Sequence, residues 1–162
     1  MKEKININII EELKNIIRIE SYGLDILIEM INENYEKALL QLFSCKGNIV
    51  FIGVGKSGQI AKKLVSTLAS TGTPSIFVHP TDAIHGDLGI IKPGDVVVAL
   101  SKSGESLEVN SLLFFIKKID VKIISITGNS NSTMADISDI ILDFGDLVEA
   151  CPFNIVPTTS TT

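Results

Sequence analysis

Asp95-Val96-Val97-Val98-Ala99-Leu100 runs directly into Ser101-Lys102-Ser103-Gly104-Glu105-Ser106, and a helical pattern follows. A short unbroken apolar run rich in valine reads as a strand buried on both faces. The loop after it therefore sets three hydroxyls and a glycine where a strand gives way to a helix. The first turn of such a helix leaves backbone N–H groups unpaired and carries a partial positive charge. Serine hydroxyls add donors around the same point, so the segment predicts a pocket for a phosphate group built from Ser101, Ser103 and Ser106. The competing reading is a plain helix cap at Ser103 or Ser106. A cap needs one hydroxyl, and this loop has three.

Working outward, short β-rich runs recur at Ile49 to Val54, Ser75 to Val78, Val96 to Leu100, Lys122 to Ile126 and Asp139 to Leu142. Helical stretches are expected at Gly58 to Ser70, Glu105 to Ile119 and about Asn131 to Ile137, with a less regular loop from Pro80 to Pro93. This alternation predicts an α/β fold with a five-stranded parallel sheet flanked by helices. Before it, Ile9, Leu13, Ile16 and Ile17 recur at helical spacing, and a second such pattern runs from Leu24 to Phe43. Gly23 lies between the two patterns, so the chain is expected to open with two helices that break there. One domain over 1–162 is expected, with N-terminal helices at 1–46 and the parallel core at 47–162. In open parallel sheets functional groups gather at the carboxyl ends of the strands. That rule collects Gly53-Val54-Gly55-Lys56-Ser57, His79, Ser101 to Ser106 and Thr127-Gly128-Asn129 on one edge.

Composition narrows the partners. With 162 residues, 45% hydrophobic, the chain can bury a sizeable core. A net charge of -5 and a pI near 5.0 argue against nucleic acid or an anionic membrane as the main partner. A small anion held by backbone dipoles is compatible with that balance. Cys45 and Cys151 show no metal-type spacing, and reduced thiols are the default. Neither a signal-peptide pattern nor a membrane-spanning run is legible, and a soluble cytoplasmic protein is expected.

Gly53-Val54-Gly55-Lys56-Ser57-Gly58 matches the dinucleotide fingerprint letter for letter. That fold also needs an acidic residue after the second strand to hold ribose hydroxyls, and Phe77-Val78-His79-Pro80 stands there instead. A P-loop would need a glycine five positions before Gly55, and position 50 is valine. What remains is a tight turn that lets backbone approach a ligand, with Lys56 as a cation and Ser57 as a hydroxyl beside it.

Taken together, Gly53 to Gly58, Ala69 to Ser75, Val78-His79-Pro80, His85-Gly86-Asp87-Leu88-Gly89, Ser101 to Glu108, Ile126-Thr127-Gly128, Glu149-Ala150-Cys151-Pro152 and Pro157 to Thr162 resemble the sugar isomerase (SIS) domain. The closer resemblance is to the arabinose-5-phosphate isomerases of the KpsF/GutQ type, over nearly the whole chain. It implies a three-layer fold and interconversion of D-ribulose 5-phosphate and D-arabinose 5-phosphate, which supplies the sugar Kdo for lipopolysaccharide or capsule. It also implies a homotetramer with sites shared between subunits. Relative to the family, the chain is expected to lack the closing C-terminal helix after Thr162 and the paired CBS domains.

Such an isomerase needs a base and groups that stabilise an enediolate, and no cofactor is required. The resemblance assigns catalytic roles to Lys56, Glu108, Glu149 and His85, the histidine coming from an adjacent subunit. It adds Ser57, Ser160 and Thr161 to the phosphate-binding set. Gly72, Thr73, His79, Ser111 and the segment Gly145-Asp146-Leu147 are implied to contact ligand. His79 also matches a position where family members bind zinc in an inhibitory way, although one histidine is too few ligands for a structural zinc. Plainer readings stand beside these: Glu108 as an acid placed for the helix dipole, and His85 as a residue that fixes its loop. A sugar-phosphate-binding module without catalysis is the alternative function.

Overall fold

The computed structural model describes residues 8–153 and 155–162. Five strands form one parallel sheet: β1 (Ile49–Gly53), β2 (Ser75–Val78), β3 (Val96–Leu100), β4 (Lys122–Thr127) and β5 (Ile140–Asp143), in the order β2-β1-β3-β4-β5. The register is continuous across the centre, with Ile52 opposite both Val78 and Ala99, and Ala99 opposite Ser125. Every residue of β1 and β3 is buried, as their unbroken apolar sequences require.

Alternation along these strands feeds two cores. Val50, Ile52, Val97, Ala99 and Ile123 point to one face. There they meet Ala83 of α4 (Pro80–Ile84), Leu112, Leu113 and Ile116 of α5 (Leu107–Ile116), and Met134 of α6 (Thr133–Ile137). Ile49, Phe51, Val96, Val98, Leu100 and Ile124 point to the other. Their partners are Ala38 and Leu42 of α2 (Glu33–Phe43), and Ala61, Leu64 and Leu68 of α3 (Gly55–Ser70). Helices therefore cover both faces of the sheet, which makes three layers.

The chain does open with two helices, but they break elsewhere than expected. Helix α1 (Ile9–Met30) runs straight through Gly23, and the interruption falls at Ile31 and Asn32. The Asn32 side chain accepts from the Asn34 N–H at 2.9 Å and caps α2. Gly23 is a contact residue: a Cβ there would lie 2.3 Å from Thr159 Cγ2, so the glycine lets α1 lie against the 3₁₀ turn Thr159–Thr161. The part of the expected first helix before Asn8 lies outside the described residues. The expected irregular loop from Pro80 to Pro93 contains α4, whose first position is Pro80, and a 3₁₀ turn at Asp87–Ile90.

The glycine pattern has a packing reason. A Cβ at Gly58 would come within 2.8 Å of the Gly53 carbonyl oxygen, and one at Gly53 within 3.0 Å of the Gly58 nitrogen. The start of α3 thus folds back onto the end of β1 with backbone against backbone. The letters of a dinucleotide fingerprint here build a tight strand-to-helix turn.

Candidate active site

The strand order places a topological switch between β1 and β3, because β1 connects outward to β2 while β3 leads the other way to β4. Ligands in open parallel sheets sit outside the carboxyl ends of the strands at such a point. A cleft of about 650 Å³ lies there, lined by Val54, Ser57, Ser101, Lys102, Ser103 and Ser106, with Gly128, Asn129 and Asp146 completing it. Three of the expected strand exits reach the cleft, those of β1, β3 and β4. The fourth contribution is Asp146, after β5. His79, after β2, does not line the cleft, because β2 is an edge strand on the far side of β1.

The serine loop is held rigidly from below. The Lys102 carbonyl accepts from the Gly128 N–H at 2.9 Å and from Thr127 Oγ1 at 3.2 Å, while the Gly104 carbonyl accepts from Asn110 Nδ2 and the Met134 N–H, both at 3.1 Å. Gly104 adopts φ +67°, and a Cβ there would lie 2.0 Å from Ser132 Oγ. Only glycine meets both demands. Ser101 and Ser106 are joined through their hydroxyls at 2.8 Å, and Ser101 Oγ also accepts from the Gly104 N–H at 3.2 Å.

This arrangement bears on the cap reading of both serines: Ser103 Oγ accepts from the Glu105 N–H at 3.2 Å, ahead of α5. Ser106 occupies the N-cap position of α5 but makes no side-chain cap bond, and Val54 likewise leaves α3 without one. The hydroxyl that would cap α5 is turned to Ser101. Two helices therefore begin at the switch point without a side-chain cap, beside the hydroxyls of Ser57, Ser101, Ser103 and Ser106. This donor set is suited to a phosphate.

Glu149 lies at the other end of the cleft region, with its side chain 4% exposed. Its Oε1 accepts from Lys102 Nζ and Ser160 Oγ, both at 2.5 Å. Its Oε2 accepts from the Thr158 N–H at 2.6 Å, from Thr158 Oγ1 at 3.1 Å and from the Ser160 N–H at 3.3 Å. Burial alone would push this carboxyl up, but the Lys102 ammonium, the Ser160 hydroxyl and the two N–H groups outweigh it and hold it down at about 2. Glu149 is thus a permanently charged, fully engaged carboxylate near neutral pH. A carboxylate in this state is suited to fixing the groups around it.

The same network takes in Ser160, with Thr161 beside it. Ser160 gives both its hydroxyl and its N–H to Glu149, and Thr161 Oγ1 donates to the Thr158 carbonyl at 2.9 Å. Both residues line an adjoining cavity of about 490 Å³ that shares Ser57, Ser101 and Lys102 with the cleft and is otherwise walled by apolar side chains such as Ile60 and Phe144. There Ser160 braces the carboxylate, while Thr161 closes the turn through the Thr158 carbonyl.

Glu108 and Lys56 present the opposite picture. Both are exposed on the first turns of α5 and α3, and neither side chain has a hydrogen bond or ion pair among the described residues. Ser111 follows one turn later on α5 and is half-buried. His85, the C-cap of α4, is exposed and lines none of the cavities named here. Gly72 and Thr73 lie in the turn before β2, where the Pro74 carbonyl accepts from the Ile49 N–H at the start of β1. That is the sheet edge opposite the cleft, so within one chain they do not join it. His79 packs against Phe77, ring centroids 6.4 Å apart, and no group of three or more metal-ligating side chains occurs among the described residues. Lys102 and Asn129, which the strand-exit rule puts on this edge but to which no individual role was assigned, also line the cleft. A lysine between two serines of the proposed pocket was the signal for the first.

The fold and site define a class: a parallel three-layer α/β protein with a serine-lined cleft at its switch point. The SIS domain family matches residues 42–161, and the chain belongs to that family. The arabinose 5-phosphate isomerase KdsD of Escherichia coli K12 is 48% identical over 149 residues, covering 92% of this chain and 45% of that protein. KdsD of Pseudomonas aeruginosa is 45% identical over 157 residues, covering 97% and 48% respectively. The chain thus spans about half the length of the curated relatives it matches. Among solved structures, a protein of E. coli CFT073 in complex with arabinose 5-phosphate superimposes with a TM-score of 0.90 at 39% identity, over 96% of this chain and 83% of that one.

Proposed function

We propose that the chain carries the active site of an aldose/ketose isomerase that interconverts D-ribulose 5-phosphate and D-arabinose 5-phosphate. The observation that carries the reading is the serine cleft beside the uncapped start of α5, with the unpartnered carboxylate of Glu108 on the same helical turn. The names of the relatives supply the substrate pair. The product would feed Kdo synthesis for lipopolysaccharide or capsule.

The serines and helix start hold the phosphate and so fix the distance from that anchor to the reacting carbons. Glu108 takes the proton from C2 of the open-chain aldose and returns it to C1, while a proton passes from the C2 hydroxyl to the carbonyl oxygen at C1. The intermediate is an enediolate, and Lys56 offsets its charge. The reaction is redox-neutral overall and moves only protons, so the side chains suffice without a cofactor. Ring opening falls to His85 from a neighbouring copy. This assignment is supported by its exposure outside its own cleft and by the apolar side chains of Ile10, Leu13, Ile17, Leu24 and Ile28 left exposed along α1, which favour association of copies such as the tetramer the resemblance implies. Among the described residues no helix is long and apolar enough to cross a membrane.

The test is NMR observation of the purified chain with D-ribulose 5-phosphate. Arabinose 5-phosphate is expected to appear until equilibrium is reached. Phosphate binding without any turnover would instead leave a sugar-phosphate-binding module.

A further inference from the structure

A phosphate dianion in the serine cleft would face hydroxyls, N–H groups and one carboxylate, Asp146. The lining holds one cation to set against that charge, Lys102. Lys56, the cation expected from sequence, lines neither this cleft nor the two cavities that adjoin it. Lys102 lines all three: the serine cleft, the 490 Å³ cavity with Ser160 and Thr161, and a cavity of about 500 Å³ with Glu12, Asn15 and Cys151.

Its placement is fixed at both ends. The backbone is pinned by the two hydrogen bonds to the Lys102 carbonyl from Gly128 and Thr127, which set the residue between Ser101 and Ser103. The ammonium is held by Glu149 Oε1, yet the Lys102 side chain remains 39% exposed while that of Glu149 is 4% exposed. An ammonium has three donor hydrogens, and Glu149 Oε1 takes one of them. Glu149 itself stays braced by four further hydrogen bonds from Thr158 and Ser160, so it anchors the lysine without depending on it. The remaining donors of the ammonium are available to the cleft.

We infer that Lys102 is the cation that holds the substrate phosphate in the serine cleft, and that Glu149 is the residue that positions it there. The inference rests on the sugar-phosphate reading and adds to it a phosphate-binding residue and a new role for the glutamate. A lysine is suited to the task because one flexible point charge can serve a carboxylate and a phosphate at once.

The test is calorimetric titration of the wild-type chain, Lys102→Met and Lys102→Arg with inorganic phosphate and with D-arabinose 5-phosphate, beside the unfolding temperature without ligand. Methionine is expected to weaken both ligands by about tenfold or more, and arginine by about threefold or less. In turnover, the methionine variant raises KM more than it lowers kcat, a split that a purely structural role would not produce. If the methionine variant fails to fold, Lys102→Gln keeps a donor toward Glu149 without the charge and is expected to weaken phosphate by a similar factor. Binding within about twofold of wild type in either neutral variant overturns the role of Lys102 alone. A wild-type chain that binds neither ligand overturns the sugar-phosphate reading and this inference with it. Lysine-dependent phosphate binding without any turnover sustains Lys102 and removes the isomerase.

Discussion

Two carboxylates near one cleft are treated by this fold in opposite ways. Glu149 is buried and accepts five hydrogen bonds, from Lys102, Thr158 and Ser160, whereas Glu108 is exposed on the first turn of α5 with no side-chain partner among the described residues. A carboxylate locked in its charged form can fix neighbouring groups but is poorly suited to carry a proton. One left unpartnered is able to meet a substrate and exchange one. On the proposed reading the two acids divide between positioning and proton transfer, a division of labour that environment and not residue type would set.

The largest expected effect breaks the comparison from the side of Glu108. Glu108→Gln should lower kcat by about 10²–10⁴-fold, the usual range for a lost general base, with an unchanged unfolding temperature. Glu149→Gln should do the reverse in folding and leave a less stable chain, because it removes the charge around which Lys102, Thr158 and Ser160 converge. Steady-state kinetics and thermal melts on both variants check the pair.

Next in size is the loop that supports the cleft. Gly104→Ala puts a Cβ 2.0 Å from Ser132 Oγ at φ +67°. A loss of about 2 kcal/mol or more is expected, since the backbone strain alone costs about 1–2 kcal/mol. Ser132→Gly removes the clash but also the hydroxyl that caps α6 and bonds the Asn129 carbonyl, so the double variant should lose less than the two single losses added together, as read by urea denaturation.

A pH series sharpens the contrast further. The carboxyl of Glu149 sits at about 2 when folded, below the ordinary carboxylate value of about 4.3 when unfolded. Its contribution to stability is therefore complete above about pH 4.5 and is lost as pH falls toward 2. The gap in stability between wild type and Glu149→Gln should narrow through that window. Asp139 adds the same sign of dependence to both proteins: burial raises its carboxyl, but the Ile123 N–H, Lys122 and Lys117 together hold it below the usual range. The smallest effect is Ser106→Ala, which removes one hydroxyl from the Ser101 pair and should weaken phosphate by about tenfold or less.

The fold was legible because its signals are local. The valine run of β3, the apolar run of β1 and the glycines at 53 and 58 each state their own conformation, and the structure places Ser101, Ser103 and Ser106 where the strand-exit argument puts them. What escaped depends on distant partners. Gly23 reads as a break because glycine disfavours helix, yet it serves a contact with Thr159 at the other end of the chain. Lys102 and Glu149 are 47 positions apart, and nothing in either segment announces their pairing. The Ser160 bond to Glu149 escaped for the same reason, since a hydroxyl near a helix-like turn does not reveal its partner. His85, Gly72 and Thr73 lie away from the cleft of their own chain, and one chain gives them no partner there.

The division between the two carboxylates is tested most directly by proton exchange. Wild type, Glu108→Gln and Glu149→Gln are each held with D-arabinose 5-phosphate in deuterated buffer at neutral pH, and loss of the C2 proton signal is followed by NMR. Exchange is expected in wild type, abolished in Glu108→Gln with sugar-phosphate affinity within a few fold, and slowed but present in Glu149→Gln. Exchange that persists without Glu108 and stops without Glu149 would contradict the account and make the buried carboxylate the base.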